Sequence, residues 1–255
     1  MFDLTSRDNT VNDASREGPI QLDDALTFRY DMAVLQDVPI AYFKLDETSG
    51  PFAKNEIADG SGGKYFGPHA FGEPGPITSQ PNTSIAFGDA SATSSGIDLG
   101  DNFSFAGAAP FTVETWVQAG VDSSPEPTLL AKLHADGGGW ILYLSNTYVG
   151  FRRSASFADG SDAYNHDLAP DTTRWRHIVA TYDGLSARVF VDGAGGLATS
   201  SSQVLPGGSD GTVLVAGTSA TSDTAHTLRG HLDNIAIYDT ALTPFQISAH
   251  FLASQ

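Results

Sequence analysis

Glu114 is the one glutamate on a run that reads clearly as a central strand, FTVETWVQAG at 111–120. A glycosidase that works through two carboxylates needs them about 5–9 Å apart. On one strand, alternate positions share a face and can meet that need. Residues 112 and 116 are Thr and Trp, so Glu114 has no acidic partner at either position. It is expected to be a strand residue hydrogen-bonded near the sheet edge. Asp46 and Glu47 are adjacent and on a strand would point to opposite faces. G-x-S-x-G, H-E-x-x-H and P-loop patterns are absent. The seven histidines (His69, His134, His166, His177, His226, His231, His250) are dispersed and lack zinc-site spacing. His177 and His231 are expected to serve packing or a hydrogen bond, and His166 to lie exposed in an acidic loop, Asp159–Asp167. That loop fits no EF-hand. No catalytic residue is expected, and the chain reads as a protein that is not an enzyme.

Sugar recognition asks for exposed aromatic rings beside polar groups. Trp116, Trp140 and Trp175 lie on strands and are expected in the core, whereas Tyr65, Tyr148 and Tyr164 are better placed for exposure. No motif marks any of them, so a glycan site has no assigned residues.

The elements that would hold such groups are mostly strands. The most explicit is WRHIVATYDGLSARVFVDG. An apolar-rich run from Trp175 to Tyr182 meets the turn residues Asp183-Gly184, then Ala187, Val189 and Val191 alternate with Arg188 and Phe190. A strand from Leu228 to Tyr238 follows, then a short helix capped by Thr243, with Pro244 in its first position and Gln246 completing a capping box. Near the start, Phe28, Met32 and Leu35 fall at helical spacing between Asp23 and Gln36, and Pro39 launches a strand over Ile40–Leu45. Residues 1–21 are polar, with no apolar period. Long loops are expected at 53–82, 120–127, 154–170 and 194–211.

Composition agrees. The 255 residues are 40% hydrophobic and 17% charged, enough apolar material for a core. Twenty-seven Gly and 13 Pro punctuate the apolar runs, as in a many-turned β-sandwich. Asp outnumbers Glu 24 to 6, which suits turns that Asp caps through its short side chain. The net charge of −17 argues against a nucleic-acid ligand, and no segment is apolar enough to insert in a membrane. With no cysteine, neither disulfides nor a thiolate metal site can form. The first residues lack the basic and apolar regions of a signal peptide.

These segments, with IAYFKLDETSG at 40–50, IAFGDASATSSGIDLG at 85–100 and the hairpins from Thr128 to Arg153, resemble the laminin-G-like (concanavalin A-like) jelly-roll family over residues 38–252. The resemblance implies an all-β jelly-roll sandwich, with an N-terminal arm and short helix at 1–38, a jelly-roll domain at 39–255 and a short C-terminal helix. Glucanases of this architecture carry E-x-D-x-E on one strand, a pattern Glu114 does not complete. The family often binds a structural calcium, and the matching positions here are Asp46, Glu47 and Asp233.

The run YDMAVLQDVPIAYFKLDETSG is further similar to the entry segment of bacteriophage virion proteins of this type. The expectation that follows is a structural subunit of a phage particle (capsid decoration, tail or fibre). It would localise to the virion, dock other virion proteins or its own copies through Phe28, Met32 and Leu35, and meet a host-surface glycan. The alternative is a carbohydrate- or cell-surface-binding module, extracellular and calcium-dependent.

Overall fold

The computed structural model describes residues 29–57, 60–88, 93–120, 123, 125–156, 162–167, 174–209 and 211–255. In chain order the elements are α1 (Tyr30–Gln36), β1 (Ala41–Phe43), β2 (Phe52–Ala53), β3 (Gly63–Phe66), β4 (His69–Pro74), β5 (Thr83–Phe87), β6 (Gly96–Asp98) and β7 (Phe111–Ala119). There follow β8 (Thr128–Leu133), β9 (Gly139–Leu144), β10 (Tyr148–Ser154), β11 (Asp162–Asp167), β12 (Arg176–Tyr182) and β13 (Ser186–Val191). The last are β14 (Ala194–Gly195), β15 (Thr199–Ser200), β16 (Leu214–Ala216), β17 (Gly230–Tyr238) and α2 (Pro244–Ala253).

They form two antiparallel sheets. The first runs β14-β13-β12-β7-β17-β5-β4, with β1 added to β17 and β15 to β13; the second runs β11-β10-β9-β8-β16-β6-β3-β2. The expected jelly-roll sandwich is therefore present. Between the sheets lies the main core, in which Phe111, Trp140, Phe151, Ile178 and Leu142 interlock. The Trp140 indole N–H donates to the Phe103 carbonyl at 2.9 Å, so its one polar atom is satisfied.

β7 sits between β12 and β17 and is buried along nearly its whole length. Its alternate residues serve two different cores. Phe111, Val113 and Val117 join the inter-sheet core. Trp116 joins a second cluster with Tyr30, Val34, Tyr238 and Ile247. That cluster covers the outer face of the first sheet, and α1 and α2 form its roof.

Both helices are positioned by local chemistry. The Thr243 hydroxyl accepts from the Gln246 N–H at 3.3 Å and the Gln246 side chain accepts from the Thr243 N–H at 2.9 Å, the reciprocal cap expected from the sequence. In α1, Asp31 bridges Arg29 at 2.9 Å and Lys44 at 3.0 Å, tying the helix to the chain just after β1. The helix expected over Asp23–Gln36 is seen from Tyr30; residues 23–28 lie outside the described part.

Three expected loops contain strands; in 194–211 these are β14 and β15, two short additions to β13. β3 and β4 fall within 53–82, because Gly63–Phe66 pairs with β6 while His69–Pro74 forms an edge with a register shift. β11 falls within 154–170 and pairs with β10 along its full length. Edge strands bury fewer side chains, so their apolar alternation is weak and polar sequences such as DAYNHD read as loop.

Candidate functional site

Among the described residues the two helices roof the outer face of the first sheet, and no helix covers the second. Along β9, Trp140, Leu142 and Leu144 enter the core, which leaves Ile141 and Tyr143 facing out. Along β10, Val149 and Phe151 enter the core and Arg152 faces out. The antiparallel register sets Tyr143 opposite Gly150 and Ile141 opposite Arg152. A Cβ at residue 150 would stand 2.2 Å from a Tyr143 ring carbon, so glycine is what lets the tyrosine ring lie down across the neighbouring strand. The Tyr143 ring meets Tyr148 edge-on at 6.2 Å. Burial first, then the nearby Tyr148, push the Tyr143 phenol up to about 12, so it remains protonated at neutral pH.

Tyr143, Ile141, Arg152 and Thr128 line a basin of about 200 Å³, smaller than a drug-sized ligand site and large enough for part of a sugar unit. Its rim carries Glu126 and His226. The Thr128 hydroxyl is buried beneath the basin and has no hydrogen-bond partner in the protein. A second basin, lined by Pro125, Glu126, Ser145, Asn146, Ala225 and His226, continues past the same rim. The His226 ring is held by Asp223, whose Oδ2 accepts from Nδ1 at 2.8 Å. Asp223 is itself fixed by the Ala225 N–H at 2.8 Å and by the Ser219 hydroxyl.

The sequence placed Glu114 near a sheet edge; it lies instead at the sheet centre, fully buried beneath the two helices. Its Oε1 accepts from the Tyr30 hydroxyl at 2.8 Å and pairs with His177 Nε2 at 2.7 Å. Its Oε2 accepts from the Tyr238 hydroxyl at 3.1 Å and pairs with His250 Nδ1 at 3.0 Å. His250 Nε2 reaches Asp37 at 3.0 Å. Burial alone would raise the Glu114 carboxyl, but His250 and His177 hold it well below the usual range. Burial alone would lower His250, and Glu114 with Asp37 overrides it, raising the imidazole to about 8. The cluster ties β7, β12, β17, α1 and α2 together. Tyr30, Glu114, His177, Tyr238 and His250 are each 0–1% exposed, so the cluster is shielded from water. Dispersed histidine spacing in the sequence hid it, because its members come from five elements.

Of the residues matched to calcium, the fold brings two together. Asp46 Oδ1 accepts from the Thr83 N–H at 2.8 Å and from the Asn82 amide at 3.4 Å. Asp233 is fully buried; its Oδ2 accepts from Asn234 at 2.6 Å, and its Oδ1 has no partner. Burial and the neighbouring Asp46 push the Asp233 carboxyl well above its ordinary range, against the hydrogen bond from Asn234. Glu47 turns elsewhere, accepting from the Lys54 N–H at 2.7 Å and the Tyr65 hydroxyl at 2.7 Å. Among the described residues no group of three or more His, Asp or Glu is arranged to hold a metal. The orphaned Asp233 oxygen beside Asp46 nevertheless suits a hard cation completed by carbonyls or water.

Met32 and Leu35 are 53% and 44% exposed on α1, and Phe28 lies outside the described residues. His177 is hydrogen-bonded as expected and His231 packs at 5.9 Å from Trp175. Tyr65 was expected at the surface and is 4% exposed, because its ring packs on Phe71 and its hydroxyl is drawn in by Glu47. Tyr164 and His166 lie on β11 rather than in a loop. Among the described residues no helix is long and apolar enough to cross a membrane.

Comparison with known proteins agrees with this architecture. A structure of botulinum neurotoxin type C, whose cell entry depends on interaction with two ganglioside molecules, aligns with a TM-score of 0.67 at 13% identity, over 88% of this chain and 53% of that one. The serotype D binding domain gives 0.61 at 13% identity, over 85% and 52%. This chain thus spans about half the length of the neurotoxin structures it matches. Domain 4 of AbnA, a GH43 extracellular arabinanase from Geobacillus stearothermophilus, solved with arabinotriose, gives 0.61 at 15% identity, over 85% and 98%. No curated protein sequence matches. The sequence model of the concanavalin A-like lectin/glucanases superfamily matches residues 91–248, from just before β6 into α2, and the chain belongs to that family.

Proposed function

We propose that this chain is a non-catalytic carbohydrate- or cell-surface-binding module, and that its ligand lies on the outer face of the second sheet. The observation that carries this reading is the Tyr143 ring laid across Gly150, between Arg152 and the buried, unpartnered Thr128 hydroxyl. A flat aromatic platform flanked by charged and hydroxyl groups is the chemistry that sugar faces and sugar hydroxyls require. The arabinanase domain solved with arabinotriose and the neurotoxin binding domains share the fold. Those likenesses favour the binding-module alternative over the virion-subunit reading. An extracellular setting fits the same reading.

A calcium ion, in this reading, is held by Asp46 and Asp233 and serves as a brace between the β1–β2 loop and β17, away from the ligand face. It supplies charge neutralisation for the buried Asp233.

The test is a broad glycan array probed with the full chain and with Tyr143→Ala. Binding to a defined set of glycans that Tyr143→Ala abolishes, with the melting temperature unchanged, supports the reading. Absence of any glycan binding, or binding indifferent to Tyr143, overturns it.

A further inference from the structure

The two basins described above adjoin. Glu126 and His226 line both, which sets the Tyr143 platform on one side of this pair and Ser145 and Asn146 on the other, the two ends of a candidate groove. We infer that this groove takes a neutral oligosaccharide of at least two units, one stacked on Tyr143 and the next beside Ser145 and Asn146, with Glu126 and His226 at the junction. The inference rests on the carbohydrate-binding reading and adds to it the ligand's charge and length.

Charge excludes the alternatives. Among the described residues the groove is lined by one cation, Arg152, and one carboxylate, Glu126, whose charges offset. A polyanionic glycan would face Glu126 and the field of a chain with net charge −17. Neutral sugar hydroxyls suit both groups, because a hydroxyl accepts from a guanidinium and donates to a carboxylate. His226 adds directionality. Its Nδ1 donates to Asp223, which leaves Nε2 as an acceptor in the neutral ring. The two sides of the junction are thus built to accept hydrogen bonds, while Arg152 and the Asn146 amide can donate to the sugars on either side of it.

The test is calorimetric titration of the full chain with arabino-, xylo- and cello-oligosaccharides of one to three units, and with oligogalacturonate and sialyllactose. A neutral disaccharide is expected to bind about tenfold or more tighter than its monosaccharide, a gain of about 1.4 kcal/mol. Asn146→Ala should remove that gain, while Gly150→Val, by displacing the Tyr143 ring, should weaken every neutral sugar. Thermal melts confirm that each variant is folded. Tighter binding of an acidic probe, a monosaccharide bound as tightly as its dimer, or a length gain that survives Asn146→Ala would overturn the inference while the binding function stands. Silence from every probe here and from the whole array would instead remove the function itself.

Discussion

Glu114 and His250 stand 3.0 Å apart beneath the two helices, one on the central strand of the first sheet and the other on the C-terminal helix, both almost wholly shielded from water. The pair closes the second core, and its ionisation ties stability to pH. The His250 imidazole is raised to about 8, so its contribution is complete below its ordinary value of 6.5 and lost as pH rises through about 8. That shift corresponds to about 2 kcal/mol. The Glu114 carboxyl is depressed, so its contribution is present above its ordinary value of 4.5 and lost as pH falls below it. Thermal melts across pH should show a plateau between these limits and a decline on each side. In His250→Asn the alkaline decline should disappear; an unchanged pH profile would remove the pair's role.

Removing the carboxylate leaves two histidines and two tyrosine hydroxyls facing an empty position. Glu114→Ala is expected to destabilise the fold by about 3–5 kcal/mol, the usual cost of breaking a buried charged pair. Glu114→Gln should cost less, since it retains an acceptor. Chemical denaturation of both variants measures the difference, and equal losses would show that the charge, absent from both variants, matters rather than the shape that Gln retains.

Asp233 binds its proton more tightly in the folded state, so without a cation its contribution to stability falls as pH rises above the ordinary value of 3.8. A calcium ion must displace that proton. The melting temperature is therefore expected to rise on adding calcium, more at pH 8 than at pH 6, and the effect should vanish in Asp233→Asn. Glu47→Gln should leave it intact, because Glu47 is engaged with Lys54 and Tyr65. A melting temperature indifferent to calcium and chelator would end the cation reading.

The outward face of α1 carries Met32 and Leu35. Exposed residues contribute little to folding, so Met32→Ser with Leu35→Ser should change stability by less than about 1 kcal/mol. The docking role proposed for this face predicts that the wild-type chain associates at high concentration and the double variant does not. Sedimentation velocity decides, and identical profiles would remove that role.

The C-terminal cap is a local test of the fold. Thr243→Ala should cost about 1 kcal/mol by removing the acceptor for the Gln246 N–H. A larger loss in chemical denaturation would mean that the cap also fixes how α2 sits over Trp116.

The sequence by itself determined the elements whose signals are local. The hairpin from Arg176 to Val191, the central strand around Glu114, the capped helix after Thr243 and the all-β class follow from alternation, turn residues and capping chemistry within a few positions. Edge strands were not legible, because β4 and β11 are defined by hydrogen bonds to a neighbour rather than by an apolar face. The groove was legible only in part. Tyr148 stood out as a candidate for exposure, but Tyr143 acquires its role from Gly150 on the next strand, and register is a tertiary property. The Glu114 cluster likewise gathers residues 30, 37, 114, 177, 238 and 250, which no spacing rule connects. Only packing two helices on the sheet decided that these groups meet.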